Sequence, residues 1–465
     1  MAGAEGRFLT GSTMGHVVRM TMTGAVGITF VFIVDAANLF WISWLGDEKL
    51  VAAIGFAFAI QFLSVAGGVG LMIASTALVS RRMGQGDHAG ARDMATATMI
   101  ITTAIQSFVA LMLVLFRWQL LDMAGAEGDT KAFAARYLLL TVPSLALMAI
   151  GLVGSATLRA FGDGKRAMFV TLTSGSVSMF VDPALILWAG LGLDGAAYAL
   201  IISRIVLTGM ALYYASRVHD LLARPSLLAV RENLRPFLVI AMPAMLAQLS
   251  TPFGGYLLTG VMAQFGDVAV GAWAVVNRLY VMAFGGIFAL GGAIGGIFGQ
   301  NFGAGQFDRL RLTYRDAILF CLGYSLVAWG VLVLATPLVI TGFGLDAAGA
   351  EVLRAFTYVA GGVQGVMGMV YVTNSAFNTL GRPGRSMVVN WTRDGLLILP
   401  VAWWASGIWG APGVVYGQAI AGTLVGFLAA LWAGRFVAGL DTATAPTLDL
   451  NTRRGYRDLN RFRRR

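Results

Sequence analysis

The chain has 465 residues, of which 57% are hydrophobic and only 12% are charged, and its net charge is +10. Its mean hydropathy is +0.75. A soluble protein of this length could not cover so much apolar surface with so few polar residues, so the composition excludes a soluble enzyme or binding domain. Long apolar stretches recur from Val17 to Val437. Since about 20 apolar residues cross a bilayer core, the sequence predicts an all-α integral membrane protein.

Breaks at glycine, proline and charge clusters predict twelve spans. The first six cover 17–45, 51–79, 94–116, 133–156, 166–190 and 195–217. The last six cover 236–265, 268–298, 313–338, 352–378, 386–409 and 412–438. The first span lacks a small-residue cleavage site, so we expect it to be retained.

Lysine and arginine are unevenly distributed between the two sides. With the N-terminus inside, 25 of them fall in cytoplasmic segments, five fall outside, and three lie within spans. The positive-inside rule therefore predicts that both termini are cytoplasmic. We interpret the net charge as topological and expect no nucleic-acid partner. The basic tail, 439–465, is predicted to be disordered, with binding to anionic lipid headgroups as the alternative.

Few residues offer thiol or metal chemistry. The only cysteine, Cys321, lies inside a span, so no disulfide is expected. The three histidines lie near the cytoplasmic edge and are too scattered to predict a metal site; they are His16, His88 and His219. Pieces such as "GQG" and "GAG" lack a P-loop lysine, which argues against nucleotide binding.

The two halves of the chain repeat the same motifs in the same order. The loop "VSRRMGQGDHAGARD" (79–93) parallels "FGQNFGAGQFDRLR" (298–311), and "LRAFGDGKRAMF" (158–169) parallels "FNTLGRPGRSMV" (377–388). A duplicated unit of six spans predicts parallel repeats that form two pseudo-symmetric bundles around a central cavity. We assign the N-terminal bundle to 1–216, a cytoplasmic linker to 217–235, and the C-terminal bundle to 236–438. This architecture is typical of an alternating-access transporter.

Two carboxylates lie near the middle of their spans. Asp35 occurs in "ITFVFIVDAANLFWI" and Asp182 in "SMFVDPALILW". From the outer ends of their spans they lie about 16 Å and about 12 Å deep at 1.5 Å per residue. A charge there costs about 3 kcal/mol on insertion scales, so we expect each acid to face a cavity or a partner. A purely structural acid that joins helices is the alternative.

Polar residues accompany these acids. Thr171, Ser174 and Ser178 share a helical face with Asp182 and are predicted to line a wetted surface, although serine and threonine also satisfy backbone groups. Asn38 is expected to donate a hydrogen bond to Asp35. Pro183 is predicted to kink span five. Further candidates for the cavity lining are Gln61, Arg278, Phe32, Phe180, Met282 and Phe284.

The intramembrane arginines leave alternatives open. Arg278 aligns with Gln61 between the repeats, but an arginine that snorkels or pairs with a carbonyl is the commoner outcome. The roles of Arg204, Arg393 and Asp394 are not assigned from the sequence.

The ordered motifs resemble those of the multidrug and toxic compound extrusion (MATE) family. The resemblance rests on "VD" in span one, "LG…AAIG", "RRMGQGD", "TLRAFGDGKRAM" and "VDPALI…GLDGAAYA". It implies export of cationic or amphipathic organic compounds against an inward H⁺ or Na⁺ gradient. It also implies that Asp35 and Asp182 take part in coupling to that ion.

Several positions depart from the family pattern. Thr251 and Val370 stand where some relatives carry acids in the C-terminal half, and Ser178 and Leu200 replace an asparagine and a threonine. Because Na⁺ requires several oxygen ligands, these departures favour H⁺. Thr23 stands where many relatives have proline, so a proline bend in span one is not expected.

The sequence therefore predicts a proton-coupled antiporter and not an enzyme. We expect a monomer in the bacterial cytoplasmic (inner) membrane that needs no cofactor and exports amphipathic or cationic compounds. The alternatives are Na⁺-coupled efflux and a lipid-linked oligosaccharide flippase. A flippase would use Arg204, Arg278 and Arg393 to bind pyrophosphate.

Overall fold

The computed structural model of the protein describes residues 6–441. All regular structure in this part of the chain is helical, which confirms the predicted fold class. The predicted tail lies outside the described residues from position 442 onward.

Twelve helical segments follow one another along the described chain. The N-terminal half contains α1 Thr13–Ser43, α2 Glu48–Gly84, α3 His88–Leu115, α4 Gly128–Phe161, α5 Gly164–Trp188 and α6 Gly192–Val218. The C-terminal half contains α7 Leu227–Ala263, α8 Asp267–Gly303, α9 Phe307–Gly342, α10 Ala347–Thr379, α11 at 383–409 and α12 Ala411–Ala438. A short helix, Arg117–Met123, connects α3 to α4.

Eleven of these segments are long and apolar enough to cross a membrane, judged by length and composition. The remaining one, α11, consists of Pro383–Trp391, a π-helical turn Thr392–Leu397, and Ile398–Trp409. Its mean hydropathy is lower because Arg393 and Asp394 lie in its middle. The sequence predicted the same twelve segments, although α7 begins at Leu227, inside the predicted linker.

Polar residues in the repeated loops act as helix caps. Asp87, in "RRMGQGD", accepts a 2.8 Å hydrogen bond from the backbone N–H of Gly90 at the start of α3. Asp163 caps α5 in the same way through the N–H of Arg166. Such caps satisfy amide groups that have no partner inside the helix. These loop motifs thus have a local structural function.

The helix α5 changes geometry after Pro183. It is α-helical from Gly164 to Pro183 and continues as a π-helical turn, Ala184–Trp188. Proline has no backbone N–H and displaces the carbonyl one turn earlier. The sequence predicts a kink next to Asp182, and the structure shows a change from α-helical to π-helical geometry at this point.

The two halves meet through their first two helices. α1 packs against α8, and α2 packs against both α7 and α8. A Cβ on Gly24 would contact Ala289, one on Gly70 would overlap the backbone of Met245, and one on Gly84 would overlap the carbonyl of Gln300. Glycine at these points lets the helix backbones approach closely.

The contact between α1 and α8 is tight only at one end. From Gly285 to the end of α8 most residues are buried, whereas Arg278 and Met282 are exposed. On α1, Phe32 and Asp35 are likewise exposed. We call the space between these segments the outer cleft, because the sequence predicts that this end of the molecule faces outside.

Candidate functional site

Asp182 is completely buried inside the N-terminal bundle. Its exposure is 0%, and the Ser178 hydroxyl donates to its two carboxylate oxygens at 3.3 Å each. The side chain of Asn38 on α1 lies close enough to Asp182 to interact with its carboxylate. The sequence predicts a hydrogen bond from Asn38 to Asp35, whereas in the structure Asn38 lies closer to the height of Asp182. Among residues 6–441, Asp182 thus has one hydroxyl donor, a neutral amide beside it and no cationic partner.

Asp35 lies on the side of α1 that faces α8. The lipid-facing side of α1 is marked by exposed apolar residues at helical spacing, namely Met22, Val26, Ile33 and Phe40. At 100° per residue, Asp35 lies on the other side of the helix, on the same face as Gly24. Asp35 is exposed in the outer cleft and makes no salt bridge or hydrogen bond within the described residues. It is close enough to Asp182 to interact electrostatically.

The relative heights of the two acids follow from the packing of α1 on α5. A Cβ on Gly27 would contact Thr171, and one on Gly175 would contact Phe30 and Val34. Both helices run in the same direction, so Asp35 is level with Ser178, one turn below Asp182. The two acids therefore lie at similar depths, as the sequence predicts. One of them is exposed and the other is buried.

The polar face predicted on α5 serves mainly to pack helices. Ser174 donates to the carbonyl of Ser203 on α6 at 2.8 Å, and its exposure is 6%. Thr171 is half-buried against Gly27 of α1. Ser178 alone of the three predicted residues contacts an acid. The structure therefore favours the helix-packing alternative for Thr171 and Ser174.

Arg204 forms a buried network behind the acids that the sequence did not assign. It donates to the carbonyl of Thr141 at 3.0 Å, to the Ser144 hydroxyl at 2.7 Å and to Gln61 Oε1 at 3.4 Å. Gln61, which the sequence predicts at the cavity, is instead buried in this network and donates to the Thr141 hydroxyl at 2.9 Å. Arg204 has no carboxylate partner within the described residues.

Tyr137 also belongs to this region, and sequence reasoning missed it. It is buried on α4, within electrostatic reach of Asp35, Asp182 and Arg204. A tyrosine in an apolar span gives no distinctive signal, so only the packing of α4 against its neighbours reveals its position.

The predicted aromatic and methionine lining is correct only in part. Phe32 and Met282 are exposed at the outer cleft. Phe180 is 77% exposed, but it lies on the side of α5 opposite Asp182, together with Phe169, and faces outward. Phe284 is 0% exposed and packs edge-on against Phe356 in the core of the C-terminal bundle. Phe180 and Phe284 are therefore not part of the site, because each lies on the wrong face of its helix.

The C-terminal bundle contains a separate buried ion pair. Arg393 Nε donates to Asp394 at 2.6 Å, and Asp394 also accepts from Ser250 at 2.9 Å and from Thr251 at 3.3 Å. Tyr280 and Tyr371 lie within electrostatic reach of this pair. Thr251 of α7 therefore contacts a carboxylate that α11 supplies. The pair neutralises itself, unlike the acids of the other half.

Comparison with known proteins places this arrangement in a family. A family model described as MatE matches residues 25–184 and 243–404, which is more than half of the chain. The multidrug export protein MepA of Staphylococcus aureus is 22% identical over 413 residues, 87% of this chain and 90% of its own. A protein named FAD transporter from Shewanella oneidensis is 26% identical over 449 residues, 95% and 99% of the two chains.

Solved structures agree. A crystal structure of a mutant of the Vibrio cholerae MATE transporter VcmN superposes with a TM-score of 0.88 at 24% identity and covers 92% of this chain and 98% of that one. The same transporter in a bent form has a TM-score of 0.85 at 25% identity, covering 91% and 98%. The duplicated halves, the twelve helices and the family match lead to one conclusion: the chain belongs to the multidrug and toxic compound extrusion (MATE) family of transporters.

Proposed function

We propose that this transporter exports amphipathic or cationic organic compounds in exchange for H⁺, and that Asp35 and Asp182 carry the proton coupling. The observation that carries the proposal is the position of Asp35. It is an exposed carboxylate in the outer cleft, it has no ionic partner within residues 6–441, and it is close enough to the buried Asp182 to interact with it electrostatically.

The surroundings of the acids favour a proton over a sodium ion. Na⁺ binds through several oxygens at once. Around Asp182 the hydroxyl of Ser178 donates a hydrogen bond to the carboxylate, and the neutral amide of Asn38 lies beside it. A carboxylic acid inside a helical bundle can bind and release a proton without a coordination shell of further oxygen atoms. In the C-terminal bundle, Arg393 already neutralises Asp394.

Two of the three arginines that the flippase alternative requires are already bound to other groups of the protein. Pyrophosphate recognition requires arginines that are free to bind phosphate oxygens. Arg204 is committed to Thr141, Ser144 and Gln61, and Arg393 is committed to Asp394. Arg278 alone is exposed in the outer cleft. We therefore propose drug-type efflux by a monomer that contains both halves of the alternating-access unit.

Purified protein in liposomes with an imposed pH gradient tests this proposal. Asp35→Asn should abolish uphill movement of a fluorescent organic cation, whereas the matched control Asp122→Asn should not, because Asp122 is an exposed carboxylate at the surface. Unchanged transport by Asp35→Asn would refute the coupling role. Transport driven by a Na⁺ gradient without a pH gradient, and insensitive to a protonophore, would refute the choice of ion.

The substrate is tested in the same liposomes. The related MepA is a multidrug exporter by name, whereas the related Shewanella oneidensis protein is named for FAD. A panel should therefore contain lipophilic cations, neutral amphiphiles and FAD. Transport of FAD, without transport of any other compound in the panel, would contradict the proposed substrate class.

A further inference from the structure

The geometry of α1 and α8 points to a partner for Asp35 across the outer cleft. We infer that Arg278 of α8 forms an ion pair with Asp35 when the outer ends of the two halves approach, and that this pair holds the outer side closed. The inference rests on the alternating access in the proposed function and adds the residue that links it to Asp35.

The register between the helices is set by Gly24 and Ala289. A Cβ on Gly24 would lie 3.2 Å from Cβ of Ala289, and one on Gly285 would lie 3.7 Å from the Thr29 hydroxyl. The two helices run antiparallel, since residues later in α1 contact residues earlier in α8. This defines one line of contact along which both helices can be followed outward.

Asp35 and Arg278 lie at the same distance along this line. Asp35 is eleven residues beyond Gly24, and Arg278 is eleven residues before Ala289. Eleven residues make about three helical turns and about 16 Å of rise, and they return a side chain to nearly the same face. Both charges therefore lie at one height and on the two faces that oppose each other.

Neither charge is satisfied in this conformation. Asp35 and Arg278 are both exposed, and among the described residues neither makes a salt bridge or hydrogen bond. Around Asp35 the neighbours within electrostatic reach are Asp182 and Tyr137, which offer no positive charge. The buried Arg204 is held by its own network.

Closure of the cleft makes the pair necessary. Bringing α1 and α8 together would remove water from an arginine among apolar residues such as Phe32 and Met282. An unpaired charge in such a place is costly, whereas a charge-assisted hydrogen bond to a carboxylate compensates for lost hydration. Asp35 lies at the right height to accept this hydrogen bond. The acid that we propose to exchange the proton therefore also forms the contact that closes the outer side.

The contact between α2 and α7 is a natural comparison. Gly70 meets the backbone of Met245 there, much as Gly24 meets Ala289. Eleven residues outward from these positions lie Ala59 and Tyr256, which carry no charge. The opposed charges thus occur at only one of these two interfaces between the halves.

Distance measurements between the outer ends test the inference. The full chain with Cys321→Ala, carrying spin labels at Trp44→Cys and Phe265→Cys in nanodiscs, reports whether the outer side is open or closed. Arg278→Gln should reduce the closed fraction about tenfold, as expected for a close charge pair. Arg278→Lys should retain it, and the exchange Asp35→Arg with Arg278→Asp should restore it. Lys49→Gln, which removes a cation from an exposed pair at the same end, is the control.

Chemical cross-linking gives a second measurement of the closed state. In the Cys321→Ala protein, Leu39→Cys and Ala274→Cys lie one turn outward of Asp35 and Arg278 and should cross-link with a short bifunctional thiol reagent while both charges are retained. An unchanged closed fraction in Arg278→Gln, a charge exchange that fails to restore it, or no cross-link overturns the inference. Loss of coupled efflux in Asp35→Asn would still support the proposed function, so the two failures are distinguishable.

Discussion

Asp35 and Asp182 lie one helical turn apart in height on the neighbouring helices α1 and α5, yet Asp35 is exposed in the outer cleft and Asp182 is completely buried. The exposed acid can exchange a proton directly with water in the outer cleft. The buried acid can exchange a proton only through neighbouring groups. This asymmetry leads to different expectations for the two carboxylates and for the charges around them.

Replacing Asp182 should affect coupling more than replacing its hydrogen-bond donor. Asp182→Asn removes a carboxylate that we propose to bind the coupling proton, and we expect proton-driven efflux in liposomes to fall by about 100-fold. Ser178→Ala removes one donor, worth about 1–3 kcal/mol to a charged acceptor, and should leave measurable efflux. Equal activity of Asp182→Asn and the native protein would contradict a role for the buried acid.

The network of Arg204 should contribute to stability. Arg204→Ala leaves Gln61 and the carbonyl of Thr141 without a buried donor, which should cost about 2–4 kcal/mol. Thermal unfolding in detergent measures this effect. Arg136→Ala is the control, because Arg136 pairs with Asp194 at the surface, where such pairs contribute about 1 kcal/mol or less. A similar loss in both variants would argue against the network.

The buried pair in the C-terminal bundle should be more sensitive to the loss of one partner than of both. Asp394→Leu leaves Arg393 unpaired and should cost about 3–5 kcal/mol. The double variant Arg393→Met with Asp394→Leu should recover a large part of that loss. Thermal unfolding of the two single variants and the double variant decides the matter. A double variant as unstable as the sum of the single variants would show that the two residues act independently.

Glycine at the inner contact between α2 and α8 should be needed for closure of that end. Gly84→Ala places a Cβ against the carbonyl of Gln300, so the helices must separate. We expect spin-label distances across the inner end to lengthen. Gly55→Ala on the same helix is the control, since its Cβ would meet open space. Identical spin-label distances in both variants would mean that α2 and α8 accommodate the added Cβ without separating.

Asp163 links the turn between α4 and α5 to the end of α6. Burial alone would raise the pKa of Asp163, but hydrogen bonds from Arg166 and His219 outweigh it and hold the pKa below 3.8. A lowered pKa stabilises the folded state above pH 3.8, and this contribution is lost as the pH falls through the folded-state value. Asp163→Asn should therefore lower the melting temperature in detergent by a few degrees at pH 7.

The pH dependence supplies the check on this prediction. The stability difference between Asp163→Asn and the native protein should still be present at pH 5 and should shrink only below about pH 4, as the carboxylate becomes protonated. A difference that already disappears near pH 6 would assign the effect to another group.

Much of the architecture was accessible from the amino-acid sequence. Apolar stretches of bilayer length, separated by glycine, proline and charge, located the twelve helices. The irregularity after Pro183 was predictable because the missing amide is a property of the residue itself. Repeated motifs predicted two halves, since duplication is recorded directly in the order of residues.

The site was less accessible, because contact requires knowing which faces of different helices oppose each other. Phe284 and Phe180 are apolar residues of the expected kind, but one lies in the core and the other faces outward. The sequence makes Gln61 a cavity candidate and leaves the role of Arg204 unassigned, whereas the packing of α2, α4 and α6 joins the two residues in one network.

The sequence by itself determined that this is a duplicated helical membrane protein with two costly acids in its N-terminal half, because hydropathy, repetition and the cost of burying charge depend on each segment alone. Only the tertiary structure decided that Asp35 is exposed in the outer cleft while Asp182 is buried, and that Arg278 opposes Asp35 at equal height. Those relations depend on the close approach of Gly24 to Ala289, which sets the register between two helices far apart in the chain.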